Sequence, residues 1–227
     1  MPPRTKAARY ATQTYGRLRN YHPDAECELK PREPFRLLVA IVLSAQTTDI
    51  AVNKVLPRLF ADFPDVRALA CAEPSDVAER LKTIGMFRQK AKHVVGLSSR
   101  LINEHGGKVP QDHAALMKLP GVGRKTANVL MGVAFNQATG IVVDTHVQRL
   151  SQRLGWTRES KPEGIEKDLM KLFPKGDWIM LSHVLIFHGR RVCRARAPGC
   201  EACPVMDICP SAGSAEKVGR KPVRHRK

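Results

Sequence analysis

Apolar residues recur along the chain at the spacing of α-helices, and strand-like alternation is scarce. Residues 34–45, PFRLLVAIVLSA, are apolar on nearly all sides, which predicts a buried helix. Other segments place apolar residues three or four positions apart between capping residues and glycines, which predicts amphipathic helices. These segments begin near residues 49, 76, 87, 112, 124, 146, 162 and 177. The pattern predicts an all-α protein of roughly ten helices, too many for a single simple bundle.

Turn and capping residues set the expected boundaries of several helices. Pro57 lies inside a helical pattern, so a kink or an end is expected there. Ser75 is a candidate N-cap for the next helix, which would stop at Gly85. The pair Gly106–Gly107 is expected to end the helix that begins near residue 87.

The charge of the chain is unusual, whereas its other composition is that of a globular protein. The 227 residues are 43% hydrophobic and 26% charged, but the formal net charge is +17. The first ten and last seventeen residues are basic and are expected to be disordered tails. The residues between them still carry a net charge of about +9. A basic body indicates a polyanionic partner, and nucleic acid is favoured over an anionic membrane surface.

Targeting signals and long apolar runs are absent from the sequence. Nothing near the N-terminus resembles a secretory signal, and no apolar run approaches the ~20 residues of a membrane span. A cytoplasmic, nucleoid-associated protein without a membrane location is therefore expected. In that compartment, crowded cysteines indicate a metal site rather than disulfides.

Four of the six cysteines crowd into seventeen residues with the spacing C-x6-C-x2-C-x5-C. Only one C-x2-C pair is present, whereas structural zinc sites more often use two separated pairs. Pro204 and Pro210 directly follow cysteines, as in the Cys-Pro ending of bacterial ferredoxin runs. A [4Fe–4S] cluster is therefore favoured over zinc, and both over four free buried thiols. The four candidate ligands are Cys193, Cys200, Cys203 and Cys209.

A glycine turn joins two predicted helices in the stretch LPGVGRKTANVL, residues 119–130. Leu119 and Val122 can pack, while Gly121 and Gly123 can take positive φ. This pattern is that of a helix-hairpin-helix motif, whose backbone N–H groups bind a phosphate without reading bases. A merely tight turn between helices is the alternative. Lys125 then lies at a helix N-terminus, which is an unfavourable place for a lysine with no role beyond solvation.

Four motifs together resemble the endonuclease III family of bacterial DNA glycosylases and abasic-site lyases, which act on oxidised pyrimidines. They are LSAQTTD, the glycine turn with Lys125, VVDTHVQRL with Asp144, and the cysteine loop, in the family's order. The similarity runs from about Pro31 to Cys209. It implies two α-helical domains with a DNA cleft between them. The implied boundaries are 27–138 for a six-helix barrel with the hairpin at about 112–130, 1–26 plus 139–211 for the cluster domain, and 212–227 for a basic, disordered tail.

The resemblance implies that Lys125 is the nucleophile. Its amine would attack the sugar C1′, expel the base and form a Schiff base, after which β-elimination cuts the strand. The helix N-terminus, neighbouring Arg124 and partial burial would all favour the neutral amine. A phosphate-binding lysine is the alternative. Asp144 is implied to stabilise positive charge on the sugar or to assist proton transfer, although an N-cap is the commoner use of such an Asp.

The resemblance also implies contacts with damaged double-stranded DNA. Gln46 would enter the space left by the damaged base, and Met86 matches a wedge position that is usually leucine. His146 is either a DNA contact or a packing residue. The arginines near the cysteine loop form either a solvated rim or a phosphate-binding surface. The remaining expected contacts are Gly121, Gly123, Arg124, Arg190, Arg194 and Arg196.

The predicted enzyme is a monomer that binds duplex DNA carrying damaged pyrimidines or abasic sites and contains a [4Fe–4S] cluster. One rival is a monofunctional adenine mismatch glycosylase of the same superfamily. That relative lacks a lysine at the position of Lys125 and carries a further domain after the cluster. The other rival is a non-enzymatic DNA-binding module, which would leave the pairing of Lys125 with Asp144 unexplained.

Overall fold

The computed structural model describes residues 5–219, and every regular element in that range is helical. The predicted all-α class is confirmed. Three short 3₁₀ turns occur at Lys175–Asp177, Cys200–Ala202 and Ala215–Lys217. The α-helices are α1 (Lys6–Tyr21), α2 (Pro34–Leu43), α3 (Asp49–Asp62), α4 (Val66–Ala70), α5 (Pro74–Arg80), α6 (Phe87–His105), α7 (His113–Met117), α8 (Arg124–Phe135), α9 (Thr145–Arg153), α10 (Pro162–Leu172) and α11 (Trp178–Arg191).

The chain divides into two compact units, each with its own hydrophobic core. The barrel unit is Cys27–Thr139 and contains α2 to α8. The loop unit consists of the described parts of Met1–Glu26 and Gly140–Lys227, with α1, α9, α10, α11 and the cysteine loop. No helix within residues 5–219 is long and apolar enough to cross a membrane.

Helix α2 is the centre of the barrel unit. Eight of its ten residues are buried, as its all-round apolar sequence predicts. Glu33 caps the helix, since its two carboxylate oxygens accept hydrogen bonds from the N–H groups of Phe35 and Arg36 at 2.9 and 2.8 Å. Helices α3, α6 and α8 pack around α2 and enclose its side chains.

Helix α6 is the longest helix of the barrel unit and begins and ends near the predicted residues. Gly106 ends it in the left-handed conformation with φ 59°, as the glycine pair predicts. The apolar stripe of α6 faces the core through Ala91, Val94, Leu97 and Leu101. This helix contacts α2, α4 and α5, so it joins most of the unit.

The loop unit has a core of leucines and aromatic rings. Phe173 packs edge-to-face against Tyr15 and Trp156, with ring centroids 5.7 and 5.0 Å apart. Because Tyr15 lies on α1, this contact joins the N-terminal helix to the C-terminal helices of the unit. Helix α11 also packs against α1 and α9.

Pro57 lies inside α3 and does not end it, so of the expected kink or end the end is excluded. The helix continues to Asp62 because apolar side chains on both sides of the proline remain buried in the core. The boundaries expected for the next predicted helix are wrong. Ser75 does not cap α5. That helix begins at Pro74, two residues before the predicted start, and it ends at Arg80, well before Gly85.

Both predicted tails contain ordered structure within the described range. Residues 6–10 belong to α1, where Thr5 accepts a capping hydrogen bond from the Ala8 N–H at 3.1 Å. Residues 212–219 are not disordered, because Ala215 is buried and Val218 O accepts a 3.0 Å hydrogen bond from Arg153 Nε. Composition identified the charge of these segments but not the apolar residues that anchor them. Residues 220–227 lie outside the described range.

Candidate functional site

The glycine turn between α7 and α8 is closed by local packing. Leu119 and Val122 are buried, and the Val122 N–H donates a 3.1 Å hydrogen bond to Leu119 O. Gly121 has φ +76°, which confirms the expected left-handed conformation at that position. Gly123 is not left-handed: its backbone is extended, with φ −99°, and it is the N-cap residue of α8. The positive φ expected at Gly123 is therefore wrong.

The two glycines differ in what surrounds them. A Cβ atom on Gly121 would lie 2.9 Å from His93 Nδ1, whereas a Cβ on Gly123 would meet nothing within 4 Å. Glycine at position 121 is therefore required by the fold. At position 123 neither backbone conformation nor protein packing requires glycine, so its missing side chain leaves the N-terminus of α8 open to a ligand.

Lys125 is the second residue of α8, and its side chain is exposed. The expected partial burial of this lysine is therefore wrong. Lys125 lies at the N-terminus of α8, where backbone N–H groups have no partner within the helix. Arg124 is also exposed at the same helix end. The arrangement places an accessible amine beside the glycine turn at Gly121–Gly123.

Asp144 caps α9 in the loop unit, and its side chain is half-buried. Its Oδ1 atom accepts hydrogen bonds from the N–H groups of His146 and Val147, both at 2.8 Å. The cap thus uses a single carboxylate oxygen, and Oδ2 lies outside it. A capping aspartate can therefore still act on a substrate through its second oxygen.

His146 packs inside the loop unit rather than projecting freely. Its Nδ1 lies 3.2 Å from Arg149 Nη2, which also donates to the carbonyl oxygens of Gly189 and Cys193 at 2.9 and 3.0 Å. A Cβ on Gly189 would lie 2.8 Å from His146 Nδ1, so this glycine admits the imidazole ring. His146 is thus packed against Arg149 and Gly189, and its contact with DNA stays a prediction.

Gln46 and Met86 share an unusual backbone conformation. Gln46 lies in the turn between α2 and α3 with φ 54°, and Met86 precedes α6 with φ 55°. Left-handed φ is uncommon for residues other than glycine, and such strain is concentrated at functional sites. Both side chains are exposed, and Met86 is one of the few large apolar side chains that are.

The four cysteines of the C-terminal loop surround one small cavity. All four are half-buried free thiols, and they line a space of about 30 Å³ together with apolar side chains. Within residues 5–219, no group of three or more His, Cys, Asp and Glu is arranged around a single metal ion. The four thiols nevertheless face one common space, as the ligands of a shared metal cluster would.

Two buried guanidinium groups lie beside the cysteine loop. Arg153 is 1% exposed and Arg149 is 6% exposed. Arg153 donates to Arg194 O and Ala195 O at 2.8 and 3.1 Å, and its Nη1 lies 3.3 Å from Cys193 Sγ. Carbonyl oxygens satisfy the donors but do not balance the charge. An anionic centre made of thiolates would balance it, so the surroundings of the loop fit the predicted cluster.

A pair of histidines connects α1 to the cysteine loop. His22 Nε2 lies 3.0 Å from His188 Nδ1, and His188 Nε2 lies 3.4 Å from Cys203 Sγ. Burial, with a smaller contribution from His22, lowers the pKa of His188 to about 3, so its ring is neutral. Burial likewise raises the pKa of the Cys203 thiol to about 11, and a bound metal is what would convert it to a thiolate.

The arginines around the cysteine loop are mostly at the surface. Arg191 forms an ion pair with Asp24 at 2.8 Å, which fixes the end of α11 to the segment after α1. The three arginines expected to contact DNA are exposed, and they are Arg190, Arg194 and Arg196.

The sequence analysis missed Lys90, a buried residue of the barrel unit close to Gln46. It is 2% exposed, and its Nζ donates a 2.5 Å hydrogen bond to Thr47 Oγ1, beside Gln46. A signal was available, since helical spacing places Lys90 on the apolar stripe with Val94 and Leu97. A lysine on a buried stripe is rare and indicates a role.

Comparison with known proteins identifies the class that this fold and these motifs define. Residues 39–175 match the HhH-GPD superfamily of base excision DNA repair proteins. The chain therefore belongs to that superfamily.

Individual relatives narrow the class to one family. The endonuclease III of Synechocystis sp. is 48% identical over 202 residues, which cover 89% of this chain and 92% of the relative. That of Bacillus subtilis is 44% identical over 198 residues, covering 87% and 90%. A solved structure of a trapped endonuclease III–DNA covalent intermediate, an estranged-adenine complex, matches with a TM-score of 0.86 and 42% identity, covering 92% of this chain and 97% of that one. The family is endonuclease III.

The family assignment confirms the predicted activity in its general form. The chain is an enzyme of base excision DNA repair, a DNA glycosylase that also has abasic-site lyase activity. Its macromolecular partner is DNA. The endonuclease III family carries a [4Fe–4S] cluster, and the cysteines of this chain lie in the C-terminal region.

Proposed function

We propose that this enzyme removes oxidised pyrimidines from double-stranded DNA with Lys125 as its nucleophile. The observation that carries the proposal is the exposed amine of Lys125 in the first turn of α8, next to the anion-binding turn at Gly121–Gly123. A lysine held there meets both the phosphate backbone and the reacting sugar of a bound strand. Since every proposed contact comes from one chain, we also propose that the monomer is the active form.

The proposed reaction forms and breaks bonds in a fixed order. The neutral amine of Lys125 attacks C1′ of the damaged nucleotide, and the N-glycosidic bond breaks so that the base leaves with its electron pair. One of the two amine protons is lost as the N–C1′ bond forms. The nitrogen lone pair then breaks the C1′–O4′ bond, O4′ takes up a proton, and the product is a protonated Schiff base that keeps the second N–H. Removal of a proton from C2′ then breaks the C3′–O bond and cuts the strand. Hydrolysis of the Schiff base releases the enzyme.

Asp144 is proposed to stabilise the positive charge that develops on the sugar as the base leaves. The role is supported by its second carboxylate oxygen, which lies outside the α9 cap. An anion aimed at developing charge lowers the barrier without first having to reorganise solvent. Capping holds the carboxylate in one orientation and so prepares it for this task.

The remaining proposed contacts hold the duplex and fill the space of the flipped nucleotide. The backbone N–H groups around Gly121 and Gly123, with Arg124, would bind phosphate. Gln46 would face the orphan base, and Met86 would part the stacked bases. The exposed arginines Arg190, Arg194 and Arg196 would bind the backbone. His146 is proposed to support DNA binding indirectly, because its ring is packed against Arg149.

Cys193, Cys200, Cys203 and Cys209 are proposed to hold a [4Fe–4S] cluster. Support comes from their common cavity and from the buried charges of Arg149 and Arg153 beside it. The cluster supplies structural cross-linking of the loop and an anionic centre for these arginines. The protein contributes Arg153, which is hydrogen-bonded to Cys193 Sγ, to Arg194 O directly after it, and to Val218 O.

The substrate class is tested with a panel of duplexes, each carrying one defined lesion. We expect strand cleavage at oxidised pyrimidines and abasic sites, and no cleavage of undamaged duplex or of duplex with an adenine mismatch. Cleavage confined to abasic sites would contradict the proposed substrate class. Release of adenine from a mismatch without strand cleavage would favour the monofunctional rival.

Replacing Asp144 by asparagine is expected to slow base release by about 10²- to 10³-fold, the effect of losing one electrostatic stabiliser of a transition state. Asparagine caps helices as well as aspartate does, so α9 and the thermal midpoint should be preserved. Single-turnover base release measures the effect, and binding to abasic DNA is the control. Unchanged base release by a folded variant would show that Asp144 only caps.

Replacing Gly123 by alanine is expected to weaken binding to damaged and undamaged duplex alike, by roughly tenfold for the loss of one close phosphate contact. The protein has room for the methyl group at ordinary φ, so stability should not fall. Gly176→Ala is the matched control, because a Cβ there also meets nothing within 4 Å. Equilibrium binding at fixed salt measures both variants. A loss confined to lesion DNA would mean that the turn reads the base rather than the phosphate.

A further inference from the structure

Lys90 is a buried lysine whose burial contributes nothing evident to stability. Its Nζ has a single polar partner among residues 5–219, the hydroxyl of Thr47 at 2.5 Å, and it makes no ion pair there. Burial alone lowers the pKa of its ammonium group. A hydroxyl satisfies one of the three ammonium donors and offers no countercharge. Burying a polar or charged group in this way destabilises a protein relative to an apolar side chain of the same size.

The position of Lys90 connects two strained turns of the barrel unit. Its partner Thr47 directly follows Gln46, whose φ is 54°, and the Thr47 N–H donates a 3.0 Å hydrogen bond to Ser44 O across that turn. The backbone N–H of Lys90 donates to Met86 O at 3.0 Å, in the first turn of α6. Met86 is the second left-handed residue, with φ 55°. One residue thus contacts both turns, by its side chain and by its backbone.

The same side of α6 also supports the glycine turn. Three residues after Lys90, the ring of His93 packs against Gly121. A Cβ atom on Gly121 would lie 2.9 Å from His93 Nδ1. Three residues after His93, Gly96 lies beside Pro120 of the hairpin, and a Cβ atom on Gly96 would lie 3.4 Å from Pro120 Cγ. Residues spaced by three lie on one face of a helix. One side of α6 therefore contacts the Gln46 turn and the hairpin, and Met86 directly precedes the same helix.

We propose that Lys90 is a positioning residue for lesion recognition, holding the Gln46 turn on α6 so that Gln46 and Met86 enter the duplex at a fixed separation. The proposal rests on the proposed roles of these two side chains in the emptied base stack. Lys90 itself does not touch DNA, because it is buried. The Lys90 amine donates a hydrogen bond to the Thr47 hydroxyl. Because Thr47 directly follows Gln46, this bond holds the left-handed backbone at Gln46 in place.

This role predicts an unusual combination of effects for Lys90→Met. Methionine matches the length of lysine and fills an apolar site without a buried charge, so the thermal midpoint should stay equal or rise. Base release from lesion duplex should fall by about 10- to 100-fold in kcat/KM, as expected when contacts are displaced by about 1 Å. Cleavage of single-stranded abasic DNA should be unchanged, because no base stack has to be entered. Lys92→Met is the matched control on the same helix, since Lys92 is exposed.

A double-mutant cycle with Thr47→Val tests the contact itself. Thr47→Val alone should impair duplex base release, and adding it to Lys90→Met should have little further effect, because both changes remove the same interaction. Fluorescence of 2-aminopurine placed opposite the lesion reports how the orphan base is unstacked. Both variants should lower that signal, whereas Lys92→Met should not.

Three outcomes would overturn the proposal. The first is a Lys90→Met enzyme with normal activity on duplex DNA. The second is a Lys90→Met enzyme that loses duplex and single-strand cleavage equally. The third is that the effects of Lys90→Met and Thr47→Val are additive. Gln46→Ala separates this failure from failure of the underlying roles. If Gln46→Ala impairs duplex base release but Lys90→Met does not, only the positioning role is wrong. If Gln46→Ala also has no effect, the proposed role of Gln46 is wrong, and the positioning role with it.

Discussion

Lys125→Arg is expected to abolish strand cleavage while the variant still binds abasic DNA. Arginine keeps a cation that can hold a phosphate, but a guanidinium stays protonated and cannot form a Schiff base. Cleavage should fall on the order of 10³-fold or more, the scale of losses when a covalent nucleophile is removed. Because Lys125 is exposed, the free energy of unfolding should change by about 0.5 kcal/mol or less.

The comparison with Lys125→Gln separates charge from nucleophilicity. If Lys125 only holds a phosphate, arginine should restore most of the cleavage that glutamine loses. If it is the nucleophile, both variants fail to cleave, and only the arginine variant binds near the wild-type level. Borohydride should trap the wild-type enzyme covalently on lesion DNA and trap neither variant. Lys108→Arg, at an exposed lysine of the same unit, should behave as wild type. A Lys125→Arg enzyme that cuts near the wild-type rate would disprove the mechanism.

Cys203→Ala is expected to remove the metal centre and destabilise the loop unit. The purified wild-type protein should be yellow-brown, with about four iron atoms per chain and matching sulfide. Loss of a ligand removes metal-binding free energy, which is also folding free energy. Loss of the centre removes the anionic group beside buried Arg153, and leaving one buried charge unpaired costs about 3–5 kcal/mol.

Iron analysis, visible absorbance and thermal unfolding measure the effect of this substitution. Cys71→Ala is the control, because Cys71 is exposed and lies outside the loop. It should retain both the iron and the wild-type melting behaviour. Stoichiometric zinc without iron in anaerobically prepared protein would contradict the cluster. A Cys203→Ala protein with full iron content would contradict the assignment of this ligand.

The sequence by itself determined the helical class, several element boundaries and the family. Residues 34–43 are apolar on nearly all sides, with Arg36 the one charged residue, and this pattern predicts a buried helix. Gly106 had to end α6, because few other residues adopt left-handed φ without strain. The hairpin, Lys125, Asp144 and the cysteine spacing are local patterns. They are readable without tertiary contacts because their chemistry depends on residue type and spacing along the chain.

The tertiary structure decided which residues are enclosed and what surrounds them. It distinguished Gly121, which lies against His93, from Gly123, which lies in open space, although the sequence treats the two glycines alike. It showed Lys125 to be exposed, since exposure at a helix end depends on neighbouring elements. It also anchored residues 212–219 through Val218 on Arg153, a contact between positions 65 residues apart.

Lys90 shows most clearly where sequence reasoning stops. Its place on an apolar stripe is a pattern of α6, but its partner Thr47 is 43 residues earlier in the chain. Local propensity and periodicity act over a few turns of helix, whereas this contact exists only because α6 packs beside the end of α2. The sequence specified the chemical groups, and packing of distant segments specified which of them meet, because burial and long-range contact are properties of the folded chain.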